Sequence, residues 1–216
     1  MSKHKGKFIV IESCEAGGKG TVASFLKSVL PADKVILTRE PGGTEFAEET
    51  RKILLAKRDY KVSTRAELLL MSGARADHLE NLVVPALESG VHVISERFRL
   101  STRAYQIHGR QRTDLIPFLD AIEKEVIVAE PDLTIFLDAD IESSLARMKK
   151  QGRELDRIES EKLDFHKRVY EGYIKELEKL NHVMVNTSGL TSETVEQTIE
   201  RICKEVLVIV KKFLGI

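Results

Sequence analysis

Lys19 is the first residue whose neighbours suggest chemistry. It closes the stretch Glu12-Ser13-Cys14-Glu15-Ala16-Gly17-Gly18-Lys19, with Gly20 and Thr21 behind it. An apolar run, Phe8-Ile9-Val10-Ile11, comes before, and an apolar-periodic segment from Val22 to Leu30 comes after. Strand, glycine-bearing turn and helix is the context in which a turn cradles phosphate. The turn aims successive backbone N–H groups into a concave nest, and the following helix adds its positive N-terminal end. Gly17 and Gly18 let the main chain approach an anion with no Cβ in the way. Lys19 is expected to face solvent and to offer a mobile positive charge to the outer phosphates of a nucleoside triphosphate. The spacing departs from G-x-x-x-x-G-K-[ST] twice. Ser13 stands for the first glycine, where a backbone conformation suited to glycine is expected. Gly20 stands for the hydroxyl residue, so Thr21 must supply that hydroxyl. A glycine turn that merely caps a helix is the competing reading.

Three arginines extend the pattern. Arg39 follows the apolar run Val35-Ile36-Leu37-Thr38 and leads into Glu40-Pro41-Gly42-Gly43-Thr44. Arg97 follows Val91-His92-Val93-Ile94 within Ser95-Glu96-Arg97-Phe98, and Arg75 lies in a helical stretch. Each guanidinium is a planar, permanently charged fork that matches a phosphate or a base edge. A single arginine is most often a surface ion-pair partner. Two at strand ends and one across a helix favour an anionic ligand. Such a set suits phosphoryl transfer, which needs charge neutralisation and alignment more than covalent catalysis.

The composition sets limits. A chain of 216 residues is most simply one domain with a sizeable core. Lys+Arg and Asp+Glu are each 34, so the formal charge is zero. This argues against a general nucleic-acid binder, which carries a basic excess. A small anionic substrate needs only a local cluster. Cys14 and Cys203 lie far apart without metal-ligand spacing, which fits reduced thiols in a cytoplasmic protein. Nothing at the start resembles a signal peptide, and no apolar run approaches the roughly 20 residues of a membrane span. Hence no membrane and no nucleic acid are expected as partners.

The elements that must position these residues follow from periodicity. Strands are expected near 7–12, 35–38, 91–94, 133–137 and 182–186. Helices are expected over about 19–30, 45–56 and 64–89, the last broken near Pro85 or earlier. Leu68, Leu69, Met71 and Leu79 mark its apolar positions. Further helices cover much of 101–129, then 141–150, 159–180 and 191–213, with Thr191 as N-cap of the last. The charged residues Glu48, Glu49, Arg51 and Lys52 read as a solvated face. Five short apolar strands separated by helices imply a parallel sheet covered on both faces. Ligands bind beyond the carboxyl ends of such strands, where Glu12 to Thr21, Arg39 to Thr44, Glu96, Arg97 and Asp138 lie.

The chain resembles the thymidylate kinases. The resemblance rests on Ile9-Val10-Ile11-Glu12, Arg39-Glu40-Pro41-Gly42-Gly43-Thr44, Glu67-Leu68-Leu69-Leu70, Arg75 and Glu96-Arg97-Phe98. It continues through Leu100-Ser101-Thr102-Arg103-Ala104-Tyr105-Gln106, Pro131-Asp132-Leu133-Thr134 and Glu154-Leu155-Asp156-Arg157, and covers nearly the whole chain. It implies a three-layer P-loop NTPase fold in one domain over 1–216, with a mobile lid near 147–158. It implies transfer of the ATP γ-phosphoryl group to dTMP, giving dTDP and ADP on the way to dTTP, with Mg²⁺ and as a homodimer. Ser13 and Glu15 to Thr21 would hold the ATP phosphates, with Lys19 and Arg97 catalytic and Thr21 and Glu96 toward the metal. Glu15, Arg39, Met71, Arg75, Arg97, Ser101, Tyr105 and Gln106 would hold the monophosphate.

The resemblance also assigns finer roles. Glu15 would meet the sugar hydroxyl. Met71 stands where the family has an aromatic residue stacked on the base, and Arg75 follows one helical turn later on the same face. Ala16 occupies the loop position that carries a catalytic arginine in some members. The stretch from Lys149 to Arg157 resembles the lid that carries it in others, with Arg153 as first choice and Arg157 as second. Glu96 replaces aspartate, and Ile107-His108 replaces a glycine-rich turn; His108 reads as a surface or structural histidine, with contact to ligand as the alternative. The Gly-Lys-Gly-Thr ending of the loop resembles adenylate-kinase-like loops. The alternatives are a kinase for another nucleoside monophosphate, a weakly active nucleotide-binding protein, and an ATPase that moves a partner.

Overall fold

The computed structural model describes residues 4–150, 154–189 and 193–216, without the side chains of 147–150. Among the described residues five parallel strands form one sheet in the order β2-β3-β1-β4-β5. The strands are β1 (Phe8–Glu12), β2 (Val35–Arg39), β3 (His92–Glu96), β4 (Leu133–Asp138) and β5 (His182–Asn186). β1 is central and buried along its whole length, which is why it reads as an unbroken apolar run. Its side chains alternate between the faces. Ile9 and Ile11 pack with Val22 and Leu26 of α1 (Lys19–Val29) and with Val206 and Val210 of α9 (Val195–Leu214). Phe8 and Val10 pack on the other face with Leu79, Val83 and Leu87. A third cluster joins Cys14 and Phe136 to Phe165, Val169 and Tyr173 of α8 (Leu163–Leu177). Glu12 ends β1 opposite Phe136, and Ile11 lies opposite Glu96, so the loops after β1 and β3 leave the sheet side by side.

The second layer of elements departs from expectation in instructive places. α2 is Glu45–Leu55 and α3 is Thr64–His78, capped by Thr44 and Ser63 side chains that accept from Ala47 N and Ala66 N. The helical stretch is interrupted before Pro85, the earlier of the two places expected. It widens there into a π-turn, Leu79–Val83, and resumes as α4 (Val84–Ser89). Pro85 then sits in the first turn of α4, where its missing N–H costs little. Leu69 is not part of the buried stripe and is 54% exposed. After β3 the chain forms α5 (Arg99–Thr102), a π-helical segment Arg103–Gly109, and α6 (Ile116–Val126). α7 is Ile141–Lys150. α8 begins at Leu163, because Asp156 Oδ1 accepts from Ile158 N at 2.8 Å and Glu159 N at 2.9 Å and stabilises a turn before it. Thr191 lies outside the described residues. The N-cap of α9 is Thr194, which forms a reciprocal capping box with Gln197.

Candidate active site

The loop after β1 turns on Ala16 (φ 51°) and Gly18 (φ 94°). The left-handed positions therefore fall at 16 and 18 rather than at Ser13, and Ala16 carries a conformation that costs a residue with a Cβ about 1–2 kcal/mol. Lys19 does not face solvent. It is buried, and its Nζ donates to Ser13 O at 3.1 Å, Ser13 Oγ at 2.8 Å and Cys14 O at 2.9 Å. Burial and the nearby Arg97 charge hold its ammonium down at about 8. Burial pushes the neighbouring Cys14 thiol up to about 12. Gly20, the second residue of α1, has no heavy atom within 4 Å of where a Cβ would lie, and Thr21 is exposed beside it.

Glu12, Arg97 and Glu15 form the hub of the site. Glu12 is fully buried and accepts from Phe98 N at 2.8 Å, Ser101 N at 3.2 Å, Ser101 Oγ at 2.6 Å and Tyr173 Oη at 3.1 Å. Burial raises its carboxyl above the usual range. Arg97 has a left-handed backbone (φ 69°) that turns its side chain back over the P-loop. Its Nη2 donates to Glu15 Oε1 at 2.7 Å and Tyr105 Oη at 3.2 Å, and its Nη1 to Ser101 Oγ at 3.0 Å and Tyr173 Oη at 3.1 Å. Tyr105 Oη also donates to Glu15 Oε1 at 2.8 Å. Burial alone would push the Glu15 carboxyl up, but Arg97 and Lys19 hold it at about 2. Both ends of this pair are therefore charged near neutral pH.

The Arg-Glu-Pro-Gly-Gly-Thr loop is fastened from beneath. Arg75 Nε donates to Glu40 Oε2 at 2.8 Å, and His78 Nδ1 lies 3.0 Å from Glu40 Oε1. His78 Nε2 pairs with Thr38 Oγ1 at 2.8 Å. A Cβ at Gly43 would lie 2.4 Å from Thr38 Oγ1 and 2.7 Å from His78, so the loop can cross there only as glycine. Arg75 also donates to Thr102 Oγ1 at 2.9 Å and lies over the Phe98 ring. Arg39, half exposed, holds Glu48 at 3.1 and 2.8 Å.

These elements surround one cavity of about 850 Å³. Its wall includes the loop from Glu15 to Thr21 together with Arg39, Met71, Arg75, Glu96, Arg97, Ser101, Tyr105 and Gln106. Met71 is half-buried. Gln106 is buried and donates to Glu67 at 3.3 Å, while its side-chain oxygen has no protein partner. Ser13 lies beneath the floor, fully buried. Arg153 lies outside the described residues. Arg157 does not point into the cavity: it donates to Glu67 Oε1 and, at 3.1 and 2.8 Å, to Leu54 O. His108 is structural, 3.1 Å from Glu176 Oε1.

Sequence reasoning missed Arg51, which lines the cavity and donates to Pro41 O at 3.1 Å. Together with Glu48, it corrects the reading of this run as a solvated face, whereas Glu49 and Lys52 are exposed. The available signal was position: Arg51 lies two turns along a helix whose first turn abuts the glycine loop. Asp156 and Glu159 were also missed, as was the wall made by Thr187, Val195, Thr198 and Ile199.

The sequence model of the family described as thymidylate kinase matches residues 11–199. Thymidylate kinase of Hahella chejuensis is 48% identical, over 79% of this chain and 82% of its own. Thymidylate kinase of Trichodesmium erythraeum is 40% identical, over 94% of this chain and 97% of its own. The crystal structure of thymidylate kinase from Ehrlichia chaffeensis superposes with a TM-score of 0.73 at 26% identity, covering 95% of this chain and 98% of that one.

Proposed function

The chain belongs to the thymidylate kinase family and transfers the ATP phosphoryl group to dTMP, giving dTDP and ADP; from this premise we propose how its own residues carry the reaction. The observation that supports the assignment is that one cavity carries both the P-loop lysine and four arginines, Arg39, Arg51, Arg75 and Arg97. Lys19 and the loop N–H groups hold the outer phosphates of ATP. Arg97, aligned by Glu15, Ser101 and Tyr173, presents its charge to the acceptor phosphate, with Arg39 and Arg51 at its sides. Charges already aimed at the phosphates before the phosphoryl group passes need little further reorganisation during transfer, which lowers the barrier. Glu15, ionised at neutral pH, accepts from the sugar hydroxyl. Met71 packs on the base, and Arg75 and Gln106 meet its edge. Arg153 supplies a further cation from the polar run near 147–158.

Thr21 and Glu96 fit Mg²⁺. A magnesium ion bound with nucleotide takes one or two protein oxygens plus phosphates and water, so no closed cage of carboxylates is needed. Thr21 and Glu96 both line the cavity that Lys19 lines. Held by Thr21 and Glu96, such an ion would supply charge neutralisation at the phosphate oxygens.

The remaining features are read as follows. The protein is one domain and works as a homodimer, supported by apolar side chains on the outside of α2 and α3: Phe46 (56% exposed), Ile53 (50%) and Leu69 (54%). Cytoplasmic location is supported by two free, buried thiols. No described helix is long and apolar enough to cross a membrane. Assay of ADP formation with dTMP, dUMP, dCMP and dGMP tests the function. The expected result is fastest turnover with dTMP. ADP formation without an acceptor would favour a motor ATPase, and binding without turnover a regulatory protein.

A further inference from the structure

A lysine ammonium has three N–H donors, and the protein supplies Lys19 with an acceptor for each. Two are the carbonyl oxygens of Ser13 and Cys14. They belong to the backbone and would stand there with any residue at position 13. The third is the Ser13 hydroxyl, at 2.8 Å the shortest of the three contacts. Its own proton goes to Cys14 O, also at 2.8 Å, which turns its lone pairs toward Nζ. The hydroxyl has room only because residue 17 is glycine. A Cβ there would lie 2.6 Å from Ser13 Oγ and 2.8 Å from Ser13 Cβ. Ser13 is fully buried, so no water competes for the bond.

We propose that Ser13 is a positioning residue for Lys19: its hydroxyl competes with a phosphate oxygen of ATP for the third donor of Nζ and so lowers the affinity for ATP. This rests on the reading of Lys19 as a ligand of the outer phosphates. A phosphate oxygen can gain a donor from Nζ only by displacing one of the three acceptors. The hydroxyl is the side-chain member of the set and keeps its bond to Cys14 O when Nζ leaves, so it is the one displaced. The carbonyls keep the ammonium tethered meanwhile. Gly17 is the companion of this device, since it makes space for the hydroxyl.

The experiment is calorimetric titration with the β,γ-imido analogue of ATP, and separately with dTMP, on native protein, Ser13→Ala, Ser13→Gly, Lys19→Ala and Ser13→Ala/Lys19→Ala. Loss of one competing hydrogen bond should tighten analogue binding about three- to tenfold in Ser13→Ala and Ser13→Gly. Affinity for dTMP should be unchanged. The gain should vanish in the Lys19→Ala background, which a general change in loop packing would not produce. Unchanged or weaker analogue binding in both Ser13 variants, with binding lost in Lys19→Ala, overturns the role of Ser13 and leaves that of Lys19. Native-like analogue binding by Lys19→Ala overturns both. If Ser13→Ala does not fold, Ser13→Gly carries the test, since it has no side chain to strain the loop.

Discussion

Arg157 donates to Glu67, tying the foot of the polar run to a carboxylate 90 residues earlier in the chain. Glu67 is wholly buried in α3 and also accepts from Gln106 at 3.3 Å and Arg110 at 3.4 Å. Arg157 reaches Leu54 O at the end of α2 as well, and its backbone N bonds Leu55 O at 3.4 Å. One side chain thus joins α2, α3 and the segment before α8.

The two arginines of the polar run should therefore separate by phenotype. Arg157→Ala leaves a buried carboxylate short of a partner, which costs about 1–3 kcal/mol. At roughly 2–4 °C per kcal/mol for a chain of this size, the melting temperature should fall by several degrees. Arg153→Ala should slow turnover and leave the melting temperature alone. Calorimetry and turnover on both variants decide; a stable but slow Arg157→Ala would move the catalytic role to that residue.

Lys19 should give the reaction an alkaline limit. Its folded-state value, about 8, is lowered from 10.5, so the cation is present below pH 8 and lost as pH rises through it. Bound phosphate favours the charged form and would raise the value. The fall should accordingly appear in kcat/KM for ATP, which reports the free enzyme, more than in kcat. Glu15, at about 2, and Cys14, at about 12, do not titrate in this window. A flat kcat/KM between pH 7 and 9 would remove Lys19 from this role.

Magnesium dependence should respond to the hydroxyl at position 21. Thr21→Val keeps the shape and removes the oxygen, and should raise the Mg²⁺ concentration needed for half-maximal rate. Gly20→Ser should lower it, because the site of its Cβ is open. Rate measured against Mg²⁺ in both variants is the check. An unchanged curve in Thr21→Val would show that the threonine does no more than begin the helix.

Met71 should set how firmly the base is held. A thioether packs well but fixes a ring less than an aromatic face does. Stacking on a base is worth roughly 1–3 kcal/mol, of which methionine recovers part. Met71→Phe should lower KM for dTMP about three- to tenfold, with little change in kcat. Wild-type Met71 should also allow looser choice among pyrimidines. A destabilised variant with unchanged KM would make Met71 a packing residue.

The sequence by itself determined the five strands, their parallel sense and the position of the loops, whereas the strand order came from the structure. β1 is read correctly because a central parallel strand is buried on both faces and must be apolar throughout. The P-loop, the glycine loop and Arg97 are legible because each lies at a strand end, where backbone geometry restricts residue type. Tertiary structure alone decided which way the charges turn. Arg51 and Lys52 are neighbours of the same kind, yet one lines the cavity and the other meets water, since adjacent helical residues point about 100° apart. Arg157 belongs to the polar run in sequence and to Glu67 in space. The parking of Lys19 against Ser13 depends on three acceptors within 3.1 Å, an arrangement that no spacing of residue types encodes. Periodicity reports which residues must be buried; the partner that makes a buried charge stable comes from wherever the fold brings the chain back.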